Sequence, residues 1–206
     1  MHVISHRGFW LSREERNTAH AFQRSFQAGF GAEIDVRDLD GQLVVSHDPP
    51  RTGALAFAEV LAAYHAAGCP GTLAVNVKAD GLASGLRAAL ADTPSWFAFD
   101  MSVPETLQYA RDSVPFFTRE SEYEPHPPLY EAASGVWIDC FEGDWIDEGV
   151  VAAHLDAGKA VCLVSPEVHG RPQDNTWETW RRWSVRDDPR MSVCTDLPQR
   201  ASEFLA

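Results

Sequence analysis

Apolar and polar positions alternate in short stretches along the chain, and longer stretches with helical periodicity separate them. The short stretches predict β-strands at residues 2–6, 32–37, 72–77, 95–99, 114–118, 135–139, 160–164 and 191–195. The longer stretches predict helices at residues 18–28, 56–67, 81–91, 104–112, 147–157, 174–185 and 198–205. A strong turn signal, Asp40-Gly41, precedes a further apolar run at 43–46, which predicts a hairpin after the second strand.

This order of elements predicts the fold class. Strict alternation of strands and helices implies an α/β protein with a parallel sheet and right-handed connections. Eight repeats predict a single compact (β/α)₈ TIM barrel over residues 1–206, with the hairpin as an extension. Such barrels typically need ~250 residues, so the loops must be short. An open, doubly wound sheet is the alternative, but no GxGxxG motif follows the first strand, where the chain reads HRGFW.

Composition narrows the class of partner. The chain has 30 acidic and 17 basic side chains and a formal charge of −13, which disfavours nucleic acid and anionic lipid as ligands. No apolar run approaches the ~18–20 residues of a membrane span. The cysteines show no CxxC spacing, so buried free thiols are expected and a zinc site is not: Cys69, Cys140, Cys162 and Cys194. With no signal-like segment at Met1, we expect a cytoplasmic protein.

Two acidic residues on the second predicted strand are candidates for chemistry. Glu33 and Asp35 lie two positions apart and therefore share one face of the strand, together with Arg37. Two carboxylates inside a barrel mouth are costly unless a cation or a proton neutralises them. The alternative is a structural pair that Arg37 and Arg7 neutralise.

Other strand ends supply the groups that cleavage of a phosphate ester requires. Histidines His6 and His47 follow the first strand and the hairpin, and they can transfer protons near neutral pH. Asn76 and Lys78 share a face at the end of the third predicted β/α strand. A hard cation takes oxygen ligands, and Arg7 and Lys78 can neutralise phosphate oxygens.

These residues fall in an ordered pattern that resembles a known family. The segment HRGFWLSREERNTAHAFQRSFQAGFGAEIDVRDLDGQLVVSHD is similar to the start of the glycerophosphodiester phosphodiesterases, with their HRG, ENT, apolar helix, Glu-x-Asp, DG turn and HD. Weaker similarity continues in AFD at 98–100, followed by Pro104-Glu105, and in TDLP at 195–198. The resemblance implies a barrel that hydrolyses a phosphodiester of lipid metabolism with a divalent cation, Mg²⁺ or Ca²⁺.

The resemblance also implies a role for each matching position. It implies catalysis by His6 and His47, metal binding by Glu33, Asp35 and Asn76, and phosphate contacts from Arg7 and Lys78. One histidine would deprotonate the attacking water or hydroxyl, and the other would protonate the leaving alkoxide.

The chain departs from the family pattern in three places. Asn76 stands where a third acidic ligand is usual, so one negative charge is replaced by an amide oxygen. Arg16 replaces the acid of ENT, and Glu14 or Glu15 would have to compensate. Only 28 residues separate His47 from Asn76, which predicts a more open mouth and leaves the specificity for glycerol open.

A further polar cluster follows the seventh predicted barrel strand. Glu167, His169 and Arg171 lie in a loop on the expected catalytic side and predict substrate recognition. The alternative is a solvated loop that an ion pair holds. Three tryptophans at 177, 180 and 183 are better explained by core packing than by a sugar-binding platform.

The leading hypothesis is therefore a phosphoric diester hydrolase that acts on a small-molecule phosphodiester similar to a glycerophosphodiester. Two alternatives stay open. One is lyase-type cleavage, in which a hydroxyl of the substrate attacks and a cyclic phosphate is released. The other is a degenerate barrel that binds a phosphorylated ligand without turnover. The sequence leaves the oligomeric state open.

Overall fold

The computed structural model describes residues 1–205 and contains ten strands and seven α-helices within them. The strands are β1 (His2–Ser5), β2 (Gly31–Leu39), β3 (Gln42–Val45), β4 (Leu55–Ala56), β5 (Leu73–Val77), β6 (Trp96–Phe99), β7 (Phe117–Glu120), β8 (Gly135–Ile138), β9 (Ala160–Val164) and β10 (Met191–Thr195). The helices are α1 (Ala19–Gln27), α2 (Phe57–Ala66), α3 (Ala83–Ala89), α4 (Val103–Arg111), α5 (Glu148–Asp156), α6 (Asp174–Trp180) and α7 (Pro198–Phe204).

Eight of these strands form the predicted barrel. Strands β1, β2, β5 and β6 pair in parallel, as do β7, β8, β9, β10 and β1. A parallel bridge between Ala98 and Phe116 joins β6 to β7 and closes the ring. Strands β3 and β4 form the antiparallel extension next to the end of β2. The (β/α)₈ fold and the hairpin extension are thus confirmed.

The barrel interior is packed with aromatic rings rather than open. Phe97 stacks on Phe117 with ring centroids 3.6 Å apart, and Phe99 stacks on Trp137 at 3.9 Å. The alternation of β2 follows the prediction, since Ile34 and its apolar neighbours pack toward the helices. Because aromatic side chains fill the lower barrel, the groups that carry chemistry are expected at the mouth, at the carboxyl ends of the strands.

The structure differs from the sequence prediction at the fifth barrel strand. That strand was expected at 114–118, but β7 spans Phe117–Glu120. Pro115 has no N–H to donate to a ladder, so regular pairing begins after it. No α-helix lies between β7 and β8 in the described chain. A 3₁₀ turn at Tyr130–Ala132 takes its place.

Smaller predictions are partly confirmed. Helix α6 ends at Trp180 rather than at 185, yet all three tryptophans are buried in the core. No cysteine of the described chain forms a disulfide, and three are buried, whereas Cys69 is only partly so. Among residues 1–205, no helix is long and apolar enough to cross a membrane.

Candidate active site

A tight turn after β1 forms one wall of the mouth. Arg7 and Gly8 have φ values of 58° and 82°. A Cβ on Gly8 would lie 2.8 Å from the backbone of Ala21, so only glycine fits this approach. The turn places His6 and Arg7 in the wall of a pocket.

His6 is held by a carboxylate and faces a second one. Its Nδ1 lies 2.7 Å from Asp196 Oδ1, and an ionised carboxylate only accepts, so Nδ1 carries the proton. Asp196 Oδ2 accepts a hydrogen bond from Arg16 Nη2 at 2.8 Å, and the Arg16 guanidinium lies over the Trp10 ring. The free Nε2 of His6 is 4.0 Å from Glu33 Oε2. This arrangement leaves Nε2 able to accept a proton.

The two carboxylates of β2 are buried side by side beneath the pocket. Glu33 Oε2 accepts the backbone N–H of Arg7 at 3.0 Å. Asp35 Oδ2 accepts from Asn17 Nδ2 at 2.7 Å and pairs with Arg7 Nε at 2.9 Å. Lys78 Nζ lies 3.5 Å from Asp35 Oδ1. Asp35 is therefore balanced by cations, whereas Glu33 has no full ion pair.

Three buried oxygens at this point lack a hydrogen-bond donor. They are Glu33 Oε1, Asp35 Oδ1 and Asn76 Oδ1, and strand register places Asp35 directly beside Asn76. Burial, with a further contribution from Asp35, raises the pKa of Glu33 to about 7. Unsatisfied buried acceptors are costly, and a hard cation satisfies such oxygens. This donor set fits Mg²⁺ or Ca²⁺ through two carboxylates and one amide, although no group of three or more His, Cys, Asp or Glu side chains among residues 1–205 is arranged to hold a metal ion by itself.

An ion pair lies on the opposite side of the mouth. Arg119, at the end of β7, contacts Asp100 Oδ1 through Nη1 at 2.9 Å and Glu124 Oε2 through Nε at 2.5 Å. Lys78 approaches the other Asp100 oxygen at 3.6 Å. Burial nevertheless raises the pKa of Asp100, because desolvation outweighs the two nearby cations.

A second histidine–carboxylate pair completes the wall. His169 Nε2 lies 2.8 Å from Asp139 Oδ1, and Asp139 Oδ2 accepts from Trp137 Nε1 at 3.2 Å. The Phe141 ring lies against the imidazole, with centroids 4.7 Å apart. His169 was predicted to recognise substrate, and the structure places it in the same pocket as His6.

These groups surround one open pocket of about 240 Å³. Its lining residues are His6, Arg7, Arg16, Glu33, Asn76, Phe99, Asp100, Arg119, Trp137, Asp139, Phe141, Val164, Val168 and His169. The polar part of this lining combines four carboxyl or amide groups with three arginines and two histidines. Such a lining suits a small anion with polar substituents.

His47 does not line this pocket. It follows β3 at the rim, and its side chain is 50% exposed. Its Nδ1 lies 2.9 Å from Asp48 Oδ1, but the Asp48 side chain is itself 88% exposed. The HD motif therefore forms a histidine–carboxylate pair in solvent rather than in the pocket.

Glu167 and Arg171 do not line the pocket either. Glu167 accepts hydrogen bonds from the side chains of Ser165 and Thr195 and, at 3.1 Å, from the Asp196 backbone. It thus fixes the loop that carries Asp196. Both carboxylate oxygens of Glu167 are thus engaged by the protein, and its role in substrate recognition stays a prediction.

Arg171 is likewise occupied by the protein. Its Nη1 pairs with Asp144 at 2.9 Å, and its Nη2 donates to the Cys140 carbonyl at 2.6 Å. The guanidinium therefore joins the loops after β8 and β9. These contacts fit the alternative of a loop that an ion pair holds, and the substrate contact of Arg171 stays a prediction.

Sequence reasoning missed several pocket residues. Arg119 was hidden because its strand was placed three residues too early. Asp139 and Asp196 end their strands, a position that signals a barrel mouth, but no spacing links either to its histidine. Arg16 was treated only as a lost acid, although it pairs with Asp196.

Comparison with solved structures agrees with this architecture. No protein-family model and no curated protein sequence matches the chain. A phosphodiesterase from Oleispira antarctica, in complex with the product sn-glycerol-3-phosphate, superposes with a TM-score of 0.69 at 14% identity, covering 100% of this chain and 96% of that one. A glycerophosphodiester phosphodiesterase from Parabacteroides distasonis gives 0.66 at 15% identity, covering 99% and 96%.

A barrel of another activity is also similar. Dihydropteroate synthase from Xanthomonas albilineans gives a TM-score of 0.51 at 15% identity, with 99% of this chain and 89% of that one covered. At these identities the comparisons establish the barrel fold. The two phosphodiesterases superpose with higher TM-scores than the synthase does.

Proposed function

We propose that this chain is a phosphoric diester hydrolase that acts on a small phosphodiester similar to a glycerophosphodiester. The observation that carries the proposal is the Asp196-held His6, whose Nε2 lies 4.0 Å from Glu33 Oε2 in a pocket that Glu33 and Asn76, each with an unsatisfied oxygen, also line. The superposition on glycerophosphodiester phosphodiesterases and the motif resemblance support it.

His6 is the base in this proposal. Its Nε2 takes the proton of the attacking water, and Asp196 holds the ring and stabilises the imidazolium that forms. Glu33, Asp35 and Asn76 hold the divalent cation, which supplies charge for the phosphate oxygens when it is bound.

Two cations of the mouth bind the phosphate. Arg7 lines the pocket and pairs with Asp35 through Nε at 2.9 Å, so its guanidinium lies beside the space that a phosphate would enter. Lys78 lies between Asp35 and Asp100 at 3.5 Å and 3.6 Å, distances that a small side-chain movement converts into a phosphate contact. Both cations offset the negative charge of the phosphate together with that of the carboxylates below it.

Phosphorus NMR of a turnover mixture tests the proposal. Glycerophosphorylethanol is incubated with protein and Mg²⁺ or Ca²⁺, with EDTA and with His6→Asn as controls. We expect a phosphomonoester signal that both controls abolish. A cyclic phosphate signal would instead assign the lyase reaction. Binding without turnover of any diester would assign the non-catalytic alternative.

A further inference from the structure

We propose that His169, held by Asp139, is the acid that protonates the leaving alcohol, the role that the motif resemblance assigns to His47. The proposal rests on the phosphodiesterase function above. His169 lies in the loop after β9, far along the chain from the HRG and HD motifs that carry His6 and His47.

The surroundings of His169 suit proton transfer. Its side chain is 21% exposed, and the Asp139 side chain 7%, so the pair is shielded but reachable from the pocket. Nε2 is engaged by Asp139, which Trp137 holds in turn. Nδ1 has no hydrogen-bond partner among residues 1–205. With Nε2 fixed, Nδ1 is the nitrogen that can donate a proton to a ligand.

The two histidine–carboxylate pairs of the pocket can divide the chemistry. His6 follows β1, and its Nε2 lies 4.0 Å from Glu33, one of the residues proposed to hold the cation. His169 follows β9 and its partner Asp139 follows β8, so this pair enters the pocket from another part of the wall. The attacking and leaving oxygens lie roughly in line across the phosphorus, so two histidines in different parts of the wall can serve one oxygen each. We therefore assign the base to His6 and the acid to His169.

The resulting step is balanced. A water oxygen forms the new bond to phosphorus as His6 Nε2 takes its proton. The bond from phosphorus to the leaving alkoxide oxygen breaks, and that oxygen takes the Nδ1 proton of His169. The products are a phosphomonoester and an alcohol. His6 then loses a proton to solvent and His169 regains one.

His47 fits this role poorly. Its ring is half exposed, and its only carboxylate partner, Asp48, is almost fully exposed. A proton donor in bulk water gains little from a positioned carboxylate, because water screens the interaction and replaces the donor. His169 gives the pocket a second histidine beside His6, so His47 on the hairpin is not needed to supply one.

Two substrates with the same glycerophosphoryl part test the assignment. Glycerophosphorylethanol has a leaving group that needs a proton, whereas glycerophosphoryl-4-nitrophenol releases a stable anion. General acid catalysis typically contributes about 10²–10⁴-fold. We expect His169→Asn to lose at least about 10²-fold in kcat on the first and less than about fivefold on the second. His47→Asn should stay within about threefold of the parent on both.

The same experiment includes the outcomes that overturn the assignment. Equal losses on both substrates, or no loss on glycerophosphorylethanol, would exclude His169 as the acid. A leaving-group pattern in His47→Asn would give the role to His47. If circular dichroism shows that His169→Asn is misfolded, Asp139→Asn is tested instead. This variant must then show a smaller loss of kcat with the same dependence on the leaving group. Loss of the proposed function is distinguishable, because His6→Asn would then be as active as the parent, or the parent inactive, on both substrates.

Discussion

The two sides of the barrel mouth are built differently. On the β1–β2–β5 side, short motifs carry His6, Glu33 and Asn76, and the acidic groups are almost completely buried. On the β7–β8–β9 side, Arg119 at the end of β7 and His169 in the loop after β9 pair with carboxylates beside the Phe141 ring. The sequence motifs therefore identify the residues on one side of the pocket. The residues on the other side can be identified only once the closed barrel shows that they lie next to the first.

Removing the carboxylate partner of each motif histidine gives the largest expected contrast. In Asp196→Asn the amide donates to His6 Nδ1 and moves the proton to Nε2, so the base is lost. We expect kcat/KM on glycerophosphorylethanol to fall about 10²-fold, since orienting carboxylates fix the tautomer of a catalytic histidine. Asp48→Asn is the matched control and should stay within about twofold, because its pair is exposed. Equal losses would place His47 in the chemistry.

The buried Glu33 on the β1–β2–β5 side also predicts that the free energy of unfolding depends on pH. Because the pKa of Glu33 is raised to about 7, the folded protein holds this proton more tightly than the unfolded chain does. The resulting stability is present below the unfolded pKa of 4.5 and is lost as pH rises toward 7. One pKa unit corresponds to about 1.4 kcal/mol, so Glu33→Gln should stabilise EDTA-treated protein by on the order of 2 kcal/mol at pH 8.

Urea denaturation at pH 5 and pH 8 measures this effect. The gain in Glu33→Gln should be much smaller at pH 5, where the parent retains the proton. Asp35→Asn is the control: it leaves Arg7 without its partner and should destabilise the protein at both values. A destabilising Glu33→Gln at pH 8 would show that Glu33 is satisfied without a cation.

The fold was predictable because hydrophobic periodicity is a local property. Strands β2 and β5 alternate or run apolar over enough residues to be identified, and Asp40-Gly41 fixes the hairpin. Prediction was weaker where local signals conflict. Pro115 shifts the start of β7, and the β7–β8 connection has no helical pattern at all.

The candidate site was predictable only in part, for a physical reason. Residue type and strand position identify His6 and Glu33, but burial depends on which loops cover a side chain. His47 matches the family motif, but its side chain is half exposed. His169 lies in the pocket and pairs with Asp139, which follows another strand. Glu167 and Arg171 are polar residues on the correct face whose partners lie in neighbouring loops, which a pattern in one loop cannot show.

Replacing Asn76, the amide at the proposed cation site, is expected to have a moderate effect on the affinity for the cation. Asn76→Asp keeps the shape and adds the charge that the family pattern has at this position. We expect Mg²⁺ or Ca²⁺ to bind about tenfold more tightly without substrate, because ligand charge raises the affinity of such sites. Titration calorimetry measures it, with Asn175→Asp on α6 as a remote control. An unchanged affinity would mean that Asn76 does not face the cation.

The smallest effect is expected at Arg171, on the side of the mouth where a loop contact resembles a binding residue. Arg171→Ala removes the pair with Asp144 and the bond to the Cys140 carbonyl. Because the pair is partly exposed, we expect a loss of about 1 kcal/mol in the free energy of unfolding. KM should remain within about twofold of the parent, since contacts to substrate lower KM and both Nη atoms of Arg171 are engaged by the protein.

A surface arginine provides the control for that measurement. Arg182 is 74% exposed and pairs with Glu178 on the outside of the barrel, so Arg182→Ala should change neither stability nor KM measurably. A KM that rises in Arg171→Ala for glycerophosphorylethanol, with stability unchanged, would restore Arg171 as a substrate contact. That outcome would point to Arg171 Nε, a buried donor that has no hydrogen-bond partner among residues 1–205.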